Sequence, residues 1–193
     1  MKIVIDTREQ SPLTFMKSSV VEGSVRKTLK TGDYSIEGME HLIAIERKSP
    51  MDLFQTMGRG NKRFQRELAR TINFDYFAIL VECSYMDVIK KNFPNSHRTK
   101  MRGNVVMDIL FTLKFKYGID VIFAHDRSEA TAIIRQTFKT YLANKEKIVL
   151  TKIGDVPCNM IKIILHQRRK LKKVLACRSK EAKTTKRLKS KKA

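Results

Sequence analysis

Three charged side chains stand together where an apolar strand ends. The segment IAIERKSPMD, residues 43–52, begins with three apolar residues and continues directly with Glu46, Arg47 and Lys48. Residues two apart in a strand project from the same face, so Glu46 and Lys48 point together and Arg47 points away. The pattern predicts a carboxylate–ammonium pair on one face of the strand end.

Two further carboxylates are predicted near this pair. The segments GDYSI and HLIAIER indicate a hairpin with a turn over residues 37–40, which brings Asp33 to the end of the sheet that carries Glu46. Asp6 closes KIVID, a neighbouring strand. Mg²⁺ takes a few carboxylate oxygens and keeps several waters, so this cluster with Lys48 is typical of a metal-assisted hydrolase site. Taken alone, Glu-x-Lys is also common by chance, and then forms a solvated ion pair of little energetic value.

The order of the apolar segments predicts an α/β fold. Buried strands are indicated by KIVID, GDYSI, HLIAIER, DYFAILVEC and IDVIFAH, and stretches of helical period lie among them. The helical stretches cover residues 62–72, 106–117 and 130–142. The polar run FPNSHRTKMRGN, residues 93–104, has no period and predicts a surface loop, whose bases we interpret as solvated charge.

A basic helix is predicted next to the strand end. Phe64, Leu68 and Ile72 recur every four positions and would face the core. The other faces carry bases, and two glycines flank a further arginine, so that backbone N–H groups and cations can approach a phosphate. The predicted DNA-binding residues are Arg59, Lys62, Arg63, Arg66 and Arg70. The alternative is an ordinary solvated helix face.

The composition favours a nucleic-acid partner inside a cell. The 193 residues carry 40 lysines and arginines against 19 acids, a formal charge of +21, and the simplest partner of such a surface is a polyanion. Three cysteines at wide spacing indicate reduced thiols rather than a disulfide framework or a zinc site. No segment approaches the roughly 20 apolar residues of a membrane span. We expect an intracellular protein without a membrane partner, in the cytoplasm or nucleoid, or in the nucleus if the source is eukaryotic or viral.

The length suits one compact domain followed by a basic appendage. We predict the domain over residues 1–150, one extra helix over residues 151–175 and a basic, disordered tail over residues 176–193. Thirteen of the 40 lysines and arginines lie in residues 166–193. This charge would add sequence-independent DNA affinity or act as a nuclear import signal.

An ordered set of motifs resembles the XPF family of structure-specific DNA endonucleases. IDTRE, GDYSI and IAIERKSPMDL occur in that order, and RFQREL and YFAILVE continue the likeness, which covers about residues 1–150. The family's patterns Glu-Arg-Lys-x-x-x-Asp, Gly-Asp and Asp-x-x-Glu are matched by Glu46, Arg47, Lys48 and Asp52, by Gly32 and Asp33, and by Asp6 and Glu9.

The resemblance implies a restriction-endonuclease-like α/β fold, with a central mixed sheet flanked by helices. It implies hydrolysis of DNA phosphodiester bonds at branched or flap structures, in repair, recombination or replication. The implied cofactor is Mg²⁺, with Mn²⁺ as a substitute, held directly or through water by Asp6, Glu9, Asp33 and Glu46. Lys48 would orient or activate the attacking water and stabilise the developing charge. Arg47 and Asp52 also belong to the catalytic motif; alternatively, Asp52 stabilises a helix start after Pro50 and Arg47 pairs with it.

The resemblance leaves partners and substrate choice open. Cellular members carry a tandem helix–hairpin–helix module that binds DNA and dimerises, whereas residues 151–193 show only Gly154 and no paired hairpin glycines. One expectation is a homodimer or heterodimer through apolar residues of the later helices; the other is that these residues fill the protein's own core. They are Ile109, Leu113, Phe138 and Leu142. The rival functions are a catalytically silent nucleic-acid-binding protein of the same fold, which the intact acidic set argues against, and a Holliday-junction resolvase or restriction-type nuclease.

Overall fold

A mixed β-sheet forms the centre of the protein. The chain is represented by a computed structural model that describes the backbone of residues 1–152 and the side chains of residues 1–145. Within this part the sheet has six strands: β1 at Lys2–Ile5, β2 at Gly23–Arg26, β3 at Tyr34–Ile36, β4 at Ile43–Lys48, β5 at Tyr76–Val81 and β6 at Asp120–Phe123. Their order across the sheet is β2-β1-β3-β4-β5-β6.

The pairing of the strands confirms the predicted mixed sheet. β3 runs antiparallel to both of its neighbours, β1 and β4, whereas β1–β2, β4–β5 and β5–β6 are parallel pairs. β1, β3, β4 and β5 are almost entirely buried, as their apolar sequences predict. β2 has no counterpart among the predicted elements, because its sequence GSVR contains only one large apolar residue.

Helices flank the sheet, which gives the α/β architecture expected from the sequence. Residues 1–152 contain five α-helices, α1 at Pro50–Met57, α2 at Asn61–Leu68, α3 at Tyr85–Lys90, α4 at Gly103–Tyr117 and α5 at Arg127–Lys152. Short 3₁₀ helices lie at Ala69–Asn73 and Ser96–Arg98. Apolar side chains of α1 to α4 pack in one cluster with alternate residues of β5, among them Phe77, Ile79 and Val81.

The predicted helix over residues 62–72 is shorter than expected. α2 ends at Leu68, and the chain continues as a 3₁₀ helix with fewer residues per turn. The change of period rotates Ile72 away from the core, so its side chain is 75% exposed rather than buried. Thr71 is buried in its place, and its hydroxyl donates a 2.7 Å hydrogen bond to the carbonyl oxygen of Leu68.

Three strand termini meet at one edge of the sheet. Because β3 is antiparallel to β1 and β4, the start of β3 lies beside the ends of both. The N–H of Asp6 donates to the carbonyl oxygen of Asp33 at 2.8 Å, and the N–H of Asp33 donates to that of Ile45 at 2.9 Å. The hairpin predicted from GDYSI and HLIAIER is therefore confirmed, and it brings the backbones of Asp6, Asp33 and Glu46 to the same edge.

The predicted domain boundary at residue 150 stays a prediction. Residues 1–145 form one compact unit, and α5 continues through Lys152. The rest of the predicted extra helix, residues 153–175, and the predicted tail, residues 176–193, lie outside the described residues. None of the helices in residues 1–152 combines the length and apolar content that a bilayer span requires.

The apolar residues of the later helices serve the protein's own core in part. Leu113 and Phe138 are 2% and 0% exposed. Ile109 and Leu142 are only partly buried. Homodimerisation or heterodimerisation stays a prediction, and a face that carried it would use the partly buried members of this set.

Candidate active site

Gly32 determines where the Asp33 carboxylate lies. Its φ of 82° is in the left-handed region, and a Cβ at this position would lie 2.9 Å from the Cβ of Ala44, so glycine alone fits without displacement. The chain can therefore enter β3 in close contact with β4. There Asp33 Oδ2 accepts a 2.8 Å hydrogen bond from the backbone N–H of Arg47. The Gly-Asp pair thus delivers its carboxylate to the end of β4.

Glu46 and Lys48 project from one face of β4, as the strand period predicts. The Lys48 ammonium donates a short hydrogen bond to Glu46 Oε1. It also lies 5.0 Å from the centre of the Phe64 ring of α2, within the range of a cation–π contact. The Lys48 and Glu46 side chains are 12% and 10% exposed. The predicted pair is therefore a largely desolvated one, covered by α2.

Burial and neighbouring charges raise the pKa values of two acids in this cleft, Asp33 and Glu67. Burial raises the pKa of Asp33 to about 8, and the nearby Glu46 carboxylate adds to the shift. Burial and Glu46 also raise the pKa of Glu67. Burial alone would lower the pKa of Lys48, but its contact with Glu46 more than offsets this and the pKa is raised. Carboxyl groups in this cleft therefore either keep a proton or repel one another, and a bound cation would stabilise their ionised forms.

A cavity of about 220 Å³ opens onto these groups. Asp33, Glu46, Lys48 and Glu67 line it, and Arg8 and Arg63 provide cations at its wall. Sequence reasoning missed Glu67 and Arg8. The available signal for Glu67 was its place as the one acid of the basic helix α2, one turn after Arg63.

Arg47 faces the other side of β4 and does not line this cavity. Its Nε and Nη2 donate to the two carboxylate oxygens of Glu82 at 2.8 and 2.7 Å. Its Nη1 donates to Glu9 Oε2 at 3.2 Å and to the carbonyl oxygen of Ser11 at 3.1 Å. The predicted pairing of Arg47 with Asp52 is wrong, because the guanidinium is fully engaged on the opposite face. The signal for Glu82 was its position one residue after Val81, the register partner of Lys48.

Asp6 and Glu9 are held by arginines rather than brought into the cavity. Asp6 Oδ1 and Oδ2 accept from Arg8 at 2.9 and 2.8 Å, and Oδ2 accepts from the N–H of Leu29 at 2.8 Å. Burial alone would raise the pKa of Asp6, but these bonds outweigh it and the pKa is lowered. Glu9 uses one oxygen for Arg47 and the other for the N–H of Ser11 at 2.9 Å. A ligand role for either carboxylate stays a prediction and would require these bonds to rearrange.

Asp52 lies at the start of α1, as its structural interpretation predicts. Ser49 is the N-cap residue: its Oγ accepts from the N–H of Asp52 at 3.1 Å and donates to Asp52 Oδ2 at 2.6 Å. Pro50 occupies the first turn, where its missing N–H is not needed. The contacts of Asp52 are therefore those of a helix terminus, and its catalytic role stays a prediction.

The acidic residues suit a hard cation with few protein ligands. Among the described residues, no group of three or more His, Cys, Asp and Glu side chains is placed to enclose a metal ion. Mg²⁺ does not need such a cage, because it is commonly bound by one or two carboxylates together with waters and substrate phosphates. Asp33 and Glu46 provide two carboxylates beside an open cavity. The donor set fits Mg²⁺, and the cation would favour the ionised form of Asp33, whose pKa is raised by burial.

The predicted DNA-binding residues divide into two groups. Arg59 and Arg63 line a larger groove of about 1130 Å³ beside the cavity, whereas Lys62, Arg66 and Arg70 are exposed and do not line it. Two loop residues interpreted as solvated charge, Arg98 and Lys100, also line this groove. Both side chains are exposed, as the interpretation of solvated charge expects. Their place along the groove was not predicted, because the fold, and not the local sequence, brings residues 95–101 opposite the start of α2.

Comparisons with known proteins agree with this architecture. The family model of the ERCC4 domain matches residues 5–137. Two solved structures are similar to the chain at 20% identity: XPF from Aeropyrum pernix, with a TM-score of 0.53, and XPF from Aeropyrum pernix in complex with DNA, with a TM-score of 0.54. The first alignment covers 72% of this chain and 61% of the other, and the second covers 86% and 80%. No curated protein matches the sequence.

Proposed function

Since the chain belongs to the ERCC4 domain family, we propose that it is a metal-dependent DNA endonuclease that cuts phosphodiester bonds at branched or flap structures. The observation that carries the proposal is that Asp33, directly before β3, and Glu46, on the adjacent β4, line one open cavity with Lys48. A similar fold in complex with DNA supports DNA as the partner. Repair, recombination or replication is the setting that such a substrate implies.

Asp33 and Glu46 would hold Mg²⁺, or Mn²⁺ in its place. When bound, the cation would act as a Lewis acid on the scissile phosphate and neutralise its charge. The β3–β4 hairpin brings both residues to one end of the sheet, where the Arg47 N–H orients the Asp33 carboxylate and Lys48 holds that of Glu46.

Lys48 would act as a cation on the phosphate and the attacking water. Its contact with Glu46 keeps its pKa raised, so the ammonium stays protonated and does not serve as a base. A fixed ammonium can donate a hydrogen bond to a phosphate oxygen as negative charge develops there. The water oxygen loses a proton as it forms the new bond to phosphorus, and the departing DNA oxygen takes up a proton as its bond to phosphorus breaks, so the two proton transfers balance.

Arg63 would secure the DNA strand beside the reacting phosphate. It lines both the active-site cavity and the larger groove, one helical turn from Glu67. Contacts of arginine to phosphates position the strand without reading its sequence. The chemistry of the site therefore favours a structural feature of DNA over a base sequence as the determinant of cleavage.

The test is cleavage of labelled flap, fork, four-way junction and blunt duplex DNA with Mg²⁺, with Mn²⁺ and with EDTA. We expect cleavage of a branched substrate in either cation and none in EDTA. Glu46→Gln should abolish cleavage while DNA binding is kept, and Glu129→Gln, an exposed residue of α5, is the matched control. Binding without cleavage by the wild type under all conditions would favour the catalytically silent rival.

A further inference from the structure

The larger groove is a continuation of the active site. Lys48, Thr56, Gly60 and Arg63 line both the 220 Å³ cavity and the 1130 Å³ groove. From this shared wall the groove extends to the loop between α3 and α4, residues 95–101. A strand held at Lys48 would therefore enter the groove as it leaves the reaction centre.

The charge of the groove fits a phosphate backbone. Its lining includes one acid, Asp52, whose carboxylate already accepts a hydrogen bond from Ser49. Four basic residues besides Lys48 line the groove. None of the four forms an ion pair within 4.0 Å among the side chains of residues 1–145. These bases are Arg59, Arg63, Arg98 and Lys100.

The loop at the far side is held in place by the rest of the fold. Lys91 Nζ donates a 2.6 Å hydrogen bond to the carbonyl oxygen of Thr99 and lies 6.0 Å from the centre of the Phe54 ring. At the start of α4, Gly103 lies so close to α3 that a Cβ would be 2.1 Å from the carbonyl oxygen of Val88. A loop whose backbone is held before binding loses less conformational entropy when the groove takes up a ligand.

We propose that this groove holds a single-stranded arm of the DNA substrate, with Arg98 and Lys100 on its phosphates. The groove volume of about 1130 Å³ slightly exceeds the roughly 300–1,000 Å³ of a pocket for one small ligand, so it has room for a few nucleotides of one strand. Met51 and Met101 offer apolar surface for the bases. The inference rests on the proposed function and names the part of the substrate that distinguishes a branch from plain duplex.

The experiment measures DNA binding by fluorescence anisotropy in EDTA, with the full chain and across a range of salt. The probes are a blunt duplex and the same duplex with a single-stranded arm of about 10 nucleotides, within the range of single-strand site sizes. The variant is Arg98→Ala/Lys100→Ala. The matched control is Arg135→Ala/Lys139→Ala, which removes the same two charges from the exposed side of α5.

On the probe with the single-stranded arm we expect the Arg98→Ala/Lys100→Ala groove variant to bind more weakly than the control variant. Its slope of log affinity against log salt concentration should be smaller in magnitude by about 1.4, since each single-strand phosphate contact contributes about 0.7. On the blunt duplex the groove variant should match the control. If the groove variant matches the control on both probes while the wild type cleaves DNA in Mg²⁺, the groove proposal is overturned and the proposed function stands. An equal loss on both probes would overturn the single-strand assignment. A wild type that neither binds nor cleaves DNA would overturn the proposed function itself.

Discussion

Arg47 and Glu46 are neighbours in the sequence, yet their side chains lie on opposite faces of β4, in two groups of charged residues that are bonded differently. On the Arg47 side of β4, one guanidinium donates to Glu82 and Glu9 through hydrogen bonds of 2.7 to 3.2 Å. The side chains of all three residues are only 10–11% exposed. We call this group the arginine network. Each of its charged groups is held by a partner, and the Arg47 pKa is raised further above its ordinary value.

On the Glu46 side, three acids and three basic residues line one cavity, and Lys48–Glu46 is the one ion pair within 4.0 Å among them. Asp33, Glu46 and Glu67 surround the Lys48 ammonium, and burial raises the pKa of Asp33 and of Glu67. We call this group the acidic cleft. The contrast shows how one strand can serve two purposes. In the arginine network both carboxylates bond to one guanidinium, which ties together the ends of three strands. In the acidic cleft, carboxyl groups with a raised pKa lie beside an open cavity that a cation and a phosphate can enter. Changes in the two groups should therefore have different consequences.

Arg47→Ala should have the largest effect, and the effect should be on folding. The substitution leaves Glu82 and Glu9 next to each other without their shared cation, and breaking a buried ion pair in this way costs about 3–5 kcal/mol. Urea unfolding followed by circular dichroism measures the loss. Arg135→Ala, an exposed arginine of α5, is the control and should change the free energy of unfolding by less than about 0.5 kcal/mol. A small loss for Arg47→Ala would show that the arginine network contributes little to folding.

Lys48→Ala should affect cleavage more than folding. Loss of the ammonium removes charge stabilisation from the transition state, and we expect cleavage to fall by roughly a hundredfold, about 2.7 kcal/mol in the barrier. The affinity for Mg²⁺ should persist or rise, because a neighbouring cation has gone. Single-turnover cleavage of a branched substrate and calorimetric titration with Mg²⁺ measure the two effects. If Lys48→Ala lowered Mg²⁺ affinity and stability together, Lys48 would belong with the structural residues.

The acidic cleft was easier to predict from sequence than the arginine network, for a physical reason. Glu46 and Lys48 are two residues apart, so the period of a strand is enough to place them together. Asp33 required only a hairpin, which is a local element. These predictions depend on short sequence separations, and the structure confirms the hairpin and the shared face.

The arginine network depends instead on long-range pairing. Glu82 lies 35 residues from Arg47 and Glu9 lies 38 residues away. Only the parallel β4–β5 register and the path of the chain after β1 bring them together. The same reason explains why the groove position of Arg98 and Lys100 was not predicted. The helices on which their loop packs decide which part of the surface the loop faces. The four-residue spacing of Phe64, Leu68 and Ile72 likewise did not show that a 3₁₀ helix follows α2 and exposes Ile72.

Asp33→Asn should stabilise the metal-free fold near pH 8, because it removes a buried group whose pKa is raised. The folded pKa is about 8, against an ordinary value of 3.8. Between these values the folded state binds the proton that the unfolded state has released, so wild-type stability falls as pH rises. The advantage of Asp33→Asn should therefore be absent near pH 4 and grow towards pH 8.

Urea unfolding in EDTA at pH 5, 6.5 and 8 tests this sign. Asp108→Asn, an exposed aspartate of α4, is the matched control and should show no such trend. Saturating Mg²⁺ should reduce the advantage of Asp33→Asn, because the cation binds the ionised wild-type carboxylate and stabilises the folded state. If the wild type instead gained stability relative to Asp33→Asn between pH 5 and 8, the pKa of Asp33 would not be raised in the folded state.

Asp52 bonds to Ser49 and so belongs to neither the arginine network nor the acidic cleft. We expect its substitution to have the smallest effect. Its bonds to Ser49 are those of a helix terminus, and loss of such a cap costs about 1 kcal/mol. Ser49→Ala and Asp52→Ala should therefore each lower the free energy of unfolding by about 1 kcal/mol, and the double variant should lose less than the sum, because the two residues share one interaction. Cleavage by all three should stay within a few fold of the wild type once the proteins are folded. A loss of cleavage with Asp52→Ala that Ser49→Ala does not reproduce would move Asp52 from the helix terminus to the acidic cleft, and Asp52→Asn, which keeps an oxygen for Ser49 but removes the charge, would then show whether the charge is what matters.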